Sequence, residues 1–241
     1  MPEALGPGFY YMDCMEGMKY FPDKFFDLAI VDPPYGINAP NLSMGSGAKK
    51  DASTYGTAQR IRKERLNHGC GKLAGRKLNS SECDWDKSPP PQEYFDELFR
   101  VSKNQIIWGG NYFNLPPTRG IVVWDKKQPW PNFSQVELAW TSFDRPAAIY
   151  RQSNCTGGKI HPTQKPVELY SWLLSKYATK GDKILDTHAG SASSLVACER
   201  AGYEYWGFEI DPLYYKSAQE RLEKEKAQIN LFGLLEDTNG E

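Results

Sequence analysis

The feature that most constrains this chain is the tetrapeptide Asp32-Pro33-Pro34-Tyr35, which directly follows the apolar run 25–31. Each proline fixes its own φ and restricts the residue before it, so the tetrapeptide stays extended. Neither proline has an N–H, which leaves the carbonyls of Asp32 and Pro33 as bare acceptors. A buried strand that ends this way predicts a rigid pocket for a planar ring with an exocyclic NH2. The alternative is a proline-stiffened loop with no ligand.

In such a pocket, Asp32 and a backbone carbonyl would hold the two amine hydrogens. The ring would stack on Tyr35, a contact worth roughly 1–3 kcal/mol for a nucleobase. The motif Asp32-Pro33-Pro34-Tyr35 after a hydrophobic strand resembles the catalytic motif of the DNA amino-methyltransferases, which act on adenine N6 or cytosine N4. The resemblance implies that these four residues are catalytic.

A second pattern lies between residues 183 and 209. A strand ends at Asp186, the small-residue turn 187–194 leads into a helix at 195–201, and the next strand ends at Glu209. Small residues let the backbone approach a ligand, and an acid at the next strand end can bind ribose hydroxyls, as in the nucleotide-binding half of a doubly wound fold. Neither the G-x-G-x-x-G pattern nor a Walker sequence is present, so residue patterns alone leave the nucleoside ligand open.

The same family supplies a specific interpretation of this pattern. The run 185–191 resembles its S-adenosylmethionine motif, and His161-Pro162-Thr163-Gln164-Lys165-Pro166 resembles the segment that precedes it. The catalytic motif comes first, which is similar to the permuted β group, and the resemblance spans 9 to about 226. It implies S-adenosyl-L-methionine as cofactor. The cofactor-binding residues it implies are Asp13, Cys14, Asp32, Thr163, Lys165, Asp186, His188, Ala189, Gly190, Ser191, Glu209 and Ile210.

Within that set, the resemblance places Asp13 at the cofactor's adenine, Glu209 at its ribose, and Thr163 and Lys165 near its methionine end. Two positions depart from the family pattern. His188 stands where phenylalanine is usual, and Ala192 stands where glycine is common. Taken singly, the strand-end acids also fit simple capping or surface roles.

These patterns predict one α/β methyltransferase domain over 1–241, with a doubly wound, mostly parallel Rossmann-like sheet, circularly permuted motif order and an antiparallel edge. We expect the Asp186 strand beside the Asp32 strand, and a last helix from Pro212 to about Lys226 followed by a disordered tail after Gly233. Loops within 125–160 are expected to contribute to target recognition.

Charge is concentrated in one stretch although the whole chain carries only −1. Residues 47–80 contain nine basic and two acidic side chains, which leaves the rest of the chain acidic. We expect 40–90 to be a basic, partly mobile insertion that contacts DNA; the alternative is a solvated loop. The expected nucleic-acid-binding residues are Lys49, Lys50, Arg60, Arg62, Lys63 and Arg65.

Composition narrows the remaining classes. Five scattered cysteines without a C-x-x-C pair argue against a disulfide framework and fit a reducing cytoplasm. The spacing of His68, Cys70 and Cys83 matches no standard zinc site, so no metal is expected. With no leader pattern and no membrane-length apolar run, we expect a cytoplasmic protein with DNA as its partner. A homodimer is a further expectation.

The sequence therefore predicts methyl transfer to adenine N6 of a base rotated out of the duplex. In the family, an acid at the Asp32 position goes mostly with adenine, but the pocket contacts only the NH2 that cytosine shares. N4-cytosine methylation is thus an alternative. Two others are a catalytically inactive fold that binds DNA, and an enzyme that methylates RNA or a protein glutamine amide.

Overall fold

The computed structural model describes residues 5–39, 43–44, 71–72, 85–128, 134–154, 159–161 and 163–238. In these ranges, no helix has both the length and the apolar character needed to cross a membrane.

The described residues form ten strands and five α-helices. The strands are β1 (Gly8–Tyr11), β2 (Phe26–Val31), β3 (Ser43–Met44), β4 (Gly71–Lys72), β5 (Ser102–Trp108), β6 (Ile121–Asp125), β7 (Val136–Thr141), β8 (Ala148–Arg151), β9 (Lys183–Asp186) and β10 (Glu204–Glu209). The helices are α1 (Cys14–Met18), α2 (Gln92–Val101), α3 (Val167–Tyr177), α4 (Ser193–Ala201) and α5 (Pro212–Thr238). A short 3-10 helix covers Gly110–Tyr112.

Eight strands form one sheet in the order β1-β10-β9-β2-β5-β7-β6-β8. The first five are parallel, with β9 beside β2 through the pairs Leu28–Ile184 and Ala29–Leu185. This confirms the predicted α/β class and the neighbouring positions of the Asp186 and Asp32 strands. The edge differs in detail from the expectation: β7 is antiparallel to β5 and β6, while β6 and β8 are parallel to each other. One reversed strand therefore sits inside an otherwise parallel sheet.

Successive side chains of the central strands point to opposite faces of the sheet. On β2, Leu28 and Ile30 join the core under α3, α4 and α5, whereas Ala29 and Val31 join the core under α1 and α2. All four side chains are buried. Continuous apolar strands are typical of parallel sheets covered on both faces, and this explains why the run before Asp32 lacks a polar alternation.

Two helix boundaries differ from the expectations. Helix α4 begins at Ser193, two residues before the predicted start. Helix α5 continues to Thr238, so the prediction of a disordered tail after Gly233 is wrong. The residues from 219 to 228 are mostly strong helix formers, and a single glycine costs an α-helix only about 1 kcal/mol relative to alanine.

Candidate active site

The candidate site lies along one edge of the sheet, where the five parallel strands end. Asp13 follows β1, Asp32 follows β2, Gly109 follows β5, and Asp186 and Glu209 are the last residues of β9 and β10. Between β9 and β2 the chain connections turn to opposite sides, and ligands of open α/β sheets bind at such a switch point. The fold thus brings both predicted motifs to one edge.

Asp32 is held from two sides. Its Oδ1 accepts a hydrogen bond from the Tyr35 hydroxyl at 2.6 Å, and its Oδ2 forms an ion pair with Lys165. The Lys165 ammonium also lies 3.3 Å from the Tyr35 hydroxyl. The side chain of Asp32 is 22% exposed, and a carboxylate has about four acceptor positions. Asp32 can therefore still accept a hydrogen bond from an entering group.

Lys165 belongs to a row of alternating buried charges. Its Nζ lies 3.1 Å from Glu137 Oε2, and Glu137 Oε1 is paired with Lys126. The lysine side chains are only 4% and 3% exposed. Burial by itself would raise the pKa of Glu137, but the two lysines outweigh it and lower that pKa to about 2. Burial opposes the charge on Lys165, yet Asp32 and Glu137 together raise its pKa. Glu137 and Lys165 therefore both stay charged near neutral pH.

Tyr35 is packed against two neighbours. Its ring stacks on Tyr112 with centroids 5.0 Å apart and planes inclined by 15°. Gly109 has φ +70°, and a Cβ there would lie 2.2 Å from the Tyr35 ring. Tyr112 is 45% exposed. The stacking surface predicted for Tyr35 is thus covered by an exposed aromatic ring.

On the other side of the switch point, Asp186 anchors the turn after β9. Its Oδ1 accepts the backbone N–H of His188 at 3.0 Å, and its Oδ2 accepts the Ser194 hydroxyl. Burial raises the pKa of Asp186 to about 7. Thr187 Oγ1 lies 2.6 Å from the Tyr94 hydroxyl and 2.9 Å from His188 Nδ1. These bonds fix the turn against α2.

His188 is neutral near physiological pH, because burial lowers its pKa to about 4. Its ring meets the Tyr94 ring edge-on at 5.3 Å. A neutral ring at this position does not repel a cationic ligand. His188, in place of the phenylalanine usual in the family, therefore still provides an uncharged aromatic ring at this position.

Two other acids hold the backbone around the same turn. Glu209 Oε2 accepts the N–H of Gly190 at 2.8 Å, and its Oε1 accepts the N–H of Asp211 at 2.8 Å. Asp13 Oδ1 caps α1 by accepting the N–H groups of Met15 and Glu16. These carboxylates have a structural role and keep acceptor positions for a ligand.

Ala192 lies at the end of this turn with φ +57°, a left-handed conformation that favours glycine. Arg221 of α5 stabilises the turn by donating to the Ser191 carbonyl at 2.8 Å and the Ser193 hydroxyl at 3.0 Å. The family preference for glycine at this position therefore has a local backbone reason.

The remaining predicted cofactor residues are dispersed around the turn. Thr163 is tied to His161, whose ring packs on Trp85 and Tyr214. Ala189 is buried, whereas Ile210 is 63% exposed. Lys165 contacts Asp32 and Glu137.

An open cavity of about 230 Å³ connects the two halves. It is lined by residues from both predicted motifs and by the start of α2. The lining residues are Cys14, Met15, Pro34, Ser88, Pro89, Pro90, Pro91, Tyr94 and His188. Its wall is mainly apolar, which suits a planar ring or an aliphatic chain.

Asp86 fixes the loop that follows the catalytic motif. Its carboxylate accepts the N–H groups of Gly36 at 2.8 Å and Ala39 at 2.7 Å, and its backbone carbonyl accepts the N–H of Asn38 at 2.9 Å. Asp86 is only 2% exposed. Asp86, near the end of the 40–90 insertion, therefore holds residues 36–39 just before it, and β3 pairs with β4 within the insertion.

The six expected nucleic-acid-binding residues lie outside the described residues, as do Pro162 and the zinc candidates His68, Cys70 and Cys83. Among the described residues, no group of three or more histidine, cysteine, aspartate or glutamate side chains could hold a metal ion.

Sequence reasoning missed Glu137, Lys126, Asp86 and Tyr94. Glu137 is near the start of β7, and only the reversed direction of that strand brings it to the functional edge. Tyr94 reads as an apolar core position of α2, and its hydroxyl partner is distant in sequence. For Asp86, the one signal in the sequence was the pair of acids in Asp84-Trp85-Asp86 just after the basic stretch.

Sequence comparison identifies related proteins. Residues 124–220 match the N6/N4 methyltransferase family model, described as DNA methylase. The Type II methyltransferase M2.DpnII of Streptococcus pneumoniae is 28% identical over 141 residues, which is 58% of this chain and 50% of that protein. The chain thus spans about half the length of the curated relatives it matches. These matches confirm the resemblance to DNA amino-methyltransferases.

Structural comparison gives the same fold class. The cytosine-N4-specific PvuII DNA methyltransferase has a TM-score of 0.52 at 13% identity and covers 94% of this chain and 93% of its own. M1.HpyAVI in complex with SAM has a TM-score of 0.50 at 16% identity and covers 89% of this chain and 98% of its own. The predicted mostly parallel, Rossmann-like α/β fold is confirmed.

Proposed function

We propose that this protein is an S-adenosyl-L-methionine-dependent DNA methyltransferase that methylates adenine N6. The observation that carries the proposal is the meeting of two motifs at one switch point: Asp32 with Tyr35 on one side, and the Asp186 turn on the other. The match to the DNA methylase family supports the reaction class.

The cofactor would lie over the turn after β9 and along the cavity lined by Cys14 and His188. Asp13 and Glu209 offer acceptor positions for its adenine and ribose, and the neutral His188 ring tolerates its positive charge. When bound, S-adenosylmethionine supplies an electrophilic methyl group. The residues present therefore fit this cofactor.

The target amine would be held by Asp32 and the carbonyl of Pro33, and its ring would stack on Tyr35 in place of Tyr112. The amine nitrogen would form the new bond to the methyl carbon with its lone pair, and the electron pair of the broken carbon–sulfur bond would stay on sulfur. The nitrogen then loses one proton, which Asp32 or water accepts. Alignment supplies much of the rate in such a displacement.

Adenine rather than cytosine is the finer part of the proposal. It rests on Asp32 in the first position of the motif, and the pocket atoms themselves contact only an NH2 group. Binding to DNA through the basic stretch, action on a flipped base and assembly as a homodimer also remain predictions.

The test is incubation of the purified protein with methyl-labelled S-adenosylmethionine and unmethylated bacterial DNA, followed by nucleoside chromatography. We expect label in N6-methyladenine that is lost in Asp32→Ala and kept in Asp96→Ala, a matched change on the exposed face of α2. Label in N4-methylcytosine would overturn the choice of base. If the protein binds the cofactor but puts no label into DNA, DNA methylation is overturned. This holds whether RNA or a glutamine-containing peptide accepts the methyl group or no substrate does.

A further inference from the structure

The row of charges Lys126, Glu137, Lys165 and Asp32 is more than the reaction needs. Amine polarisation requires only Asp32 and a carbonyl, yet Asp32 carries a buried lysine on Oδ2. That ammonium also lies 5.3 Å from the Trp108 ring and 5.8 Å from the Tyr35 ring. Lys165 therefore fixes Asp32 and Tyr35 with respect to each other.

A lysine in this position has an electrostatic disadvantage. Positive charge develops on the target nitrogen as it gains the methyl group, and a bare ammonium beside Asp32 would repel that charge. It would also cancel the negative charge of Asp32, and both effects are larger in a water-poor site than in solution. An enclosed lysine is useful here only when another anion compensates it.

Glu137 is that anion. Its Oε2 lies 3.1 Å from the Lys165 ammonium, and Lys126 holds its other oxygen from the opposite side. The side chain of Glu137 is 22% exposed and that of Lys165 is 4% exposed, so the pair is enclosed with little solvent screening. Because Lys126 fixes Glu137, the carboxylate cannot simply turn away.

We propose that Glu137 is a positioning residue that acts through Lys165: it compensates the ammonium, so that Lys165 orients Asp32 and Tyr35 without cancelling the negative charge presented to the target amino group. This inference rests on the proposed function. It deepens that function, because it assigns a role to a residue on β7 that touches neither ligand.

The decisive experiment is a double-mutant cycle with Glu137→Gln and Lys165→Met, using the DNA methylation assay at saturating cofactor. Glu137→Gln should lower kcat by about 100-fold or more, with the KM for DNA changed by less than about threefold, as for misplaced catalytic groups. The double variant should be more active than Glu137→Gln alone, because it no longer contains an uncompensated ammonium. Glu93→Gln, an exposed change on α2, is the matched control.

A pH profile separates this role from a structural one. Six charged or titratable groups surround Lys165. Asp32 and Tyr35 follow β2, Lys126 follows β6, Glu137 lies on β7, Tyr170 lies on α3, and His161 belongs to the same segment as Lys165. Without Glu137 the pKa of Lys165 should fall, so the activity of Glu137→Gln should rise relative to wild type as pH increases from about 8 to 10. Nitrogen-15 NMR of the lysine side chains, with Lys165→Met to assign the signal, should show the lowered pKa independently of activity.

Multiplicative losses in the double variant, or parallel pH profiles with an unshifted lysine signal, would overturn the inference while leaving the methyltransferase proposal intact. An inactive wild type would overturn the proposed function, and the NMR titration would still test the charge arrangement. Thermal denaturation checks that Glu137→Gln is folded. If it is unfolded, Lys126→Met is tested instead, because it loosens the Glu137 carboxylate and should also reduce kcat. An unchanged kcat in Lys126→Met would count against the inference.

Discussion

At the scale of single residues, Gly109 shows how the catalytic motif depends on a neighbour in another strand. Its φ of +70° and its approach to the Tyr35 ring both call for the absence of a side chain. Gly181 has a similar φ of +93°, but a Cβ there would meet nothing within 4 Å. Comparing alanine substitutions at the two glycines therefore distinguishes the effect of backbone strain from the effect of displacing Tyr35.

We predict that Gly109→Ala abolishes most methyl transfer while Gly181→Ala does not. A left-handed non-glycine residue costs about 1–2 kcal/mol, so Gly181→Ala should lose roughly that much stability in a denaturant titration, and Gly109→Ala should lose more because its Cβ also meets the Tyr35 ring. Only Gly109→Ala should also lose activity, because the new methyl group forces the Tyr35 ring away from Asp32. Equal activity of the two variants would show that the position of Tyr35 is unimportant.

Asp186 gives a second prediction at this scale, concerning pH. Burial raises its pKa to about 7 in the folded protein, whereas an unfolded aspartate titrates near 3.9. Between about pH 4 and 7 the unfolded chain releases its proton first, so this residue lowers stability progressively as pH rises, by about 1.4 kcal/mol for each unit of pKa difference.

Asp186→Asn lacks this titration and can keep the bonds to the His188 N–H and the Ser194 hydroxyl, which can reverse its direction. We therefore expect the free energy of unfolding of Asp186→Asn, relative to wild type, to increase from pH 4 to 7 and then level off. Denaturant titrations across this range measure it, with Asp96→Asn as the matched surface change. A constant difference would mean that Asp186 is ionised at all these pH values.

At the scale of elements, the loop after β2 depends on Asp86, which lies in the segment just before α2. The carboxylate accepts two backbone N–H groups, and Gly36 at φ +72° leaves no room for a Cβ beside Pro89. Loss of the acceptor leaves two partly buried N–H groups without this partner, at up to about 1–3 kcal/mol each.

We predict that Asp86→Ala reduces kcat by about tenfold or more, since a misplaced catalytic loop is sensitive to shifts of about 1 Å. Asp182→Ala is the matched control, because Asp182 also accepts a loop N–H, from Thr179 at 2.8 Å, at the start of β9 away from the site. Cofactor affinity, measured by calorimetry, should change little in either variant. A similar loss of kcat in both would point to general destabilisation.

At the scale of the whole molecule, the sequence was most informative where chemistry is local. Proline stiffness after β2 and small residues after β9 pointed to the two halves of the candidate site. The permuted motif order that the resemblance implies predicted that β9 lies beside β2, as the sheet shows. Contacts between segments distant in sequence were not readable: the ion pairs of Lys165 with Asp32 and Glu137 join the segment before α3 to the end of β2 and the start of β7. Glu137 in particular depends on the reversed direction of β7, which the loop lengths around it do not reveal.

The uneven charge of the chain leads to the last prediction. The basic stretch contributes +7 to a protein of net charge −1, so a DNA backbone should be attracted to it rather than to the acidic remainder. Each phosphate neutralised by a basic side chain contributes about 0.9 to the slope of log affinity against log salt concentration. Asp86, just after this stretch, bonds to Gly36 and Ala39, just after the Asp32–Tyr35 motif, so the two ends of the chain segment that carries the stretch meet beside that motif.

Replacing Arg60, Arg62, Lys63 and Arg65 together by glutamine should therefore weaken DNA binding and reduce the magnitude of the salt slope by up to about 3.6, the sum for four phosphate contacts. Fluorescence anisotropy with labelled duplex DNA from low to moderate salt measures both. Glutamine replacement of Lys176, Lys180, Lys224 and Lys226, which removes the same charge elsewhere on the fold, should change the slope much less. Equal effects of the two quadruple variants would mean that net charge, and not this stretch, governs DNA binding.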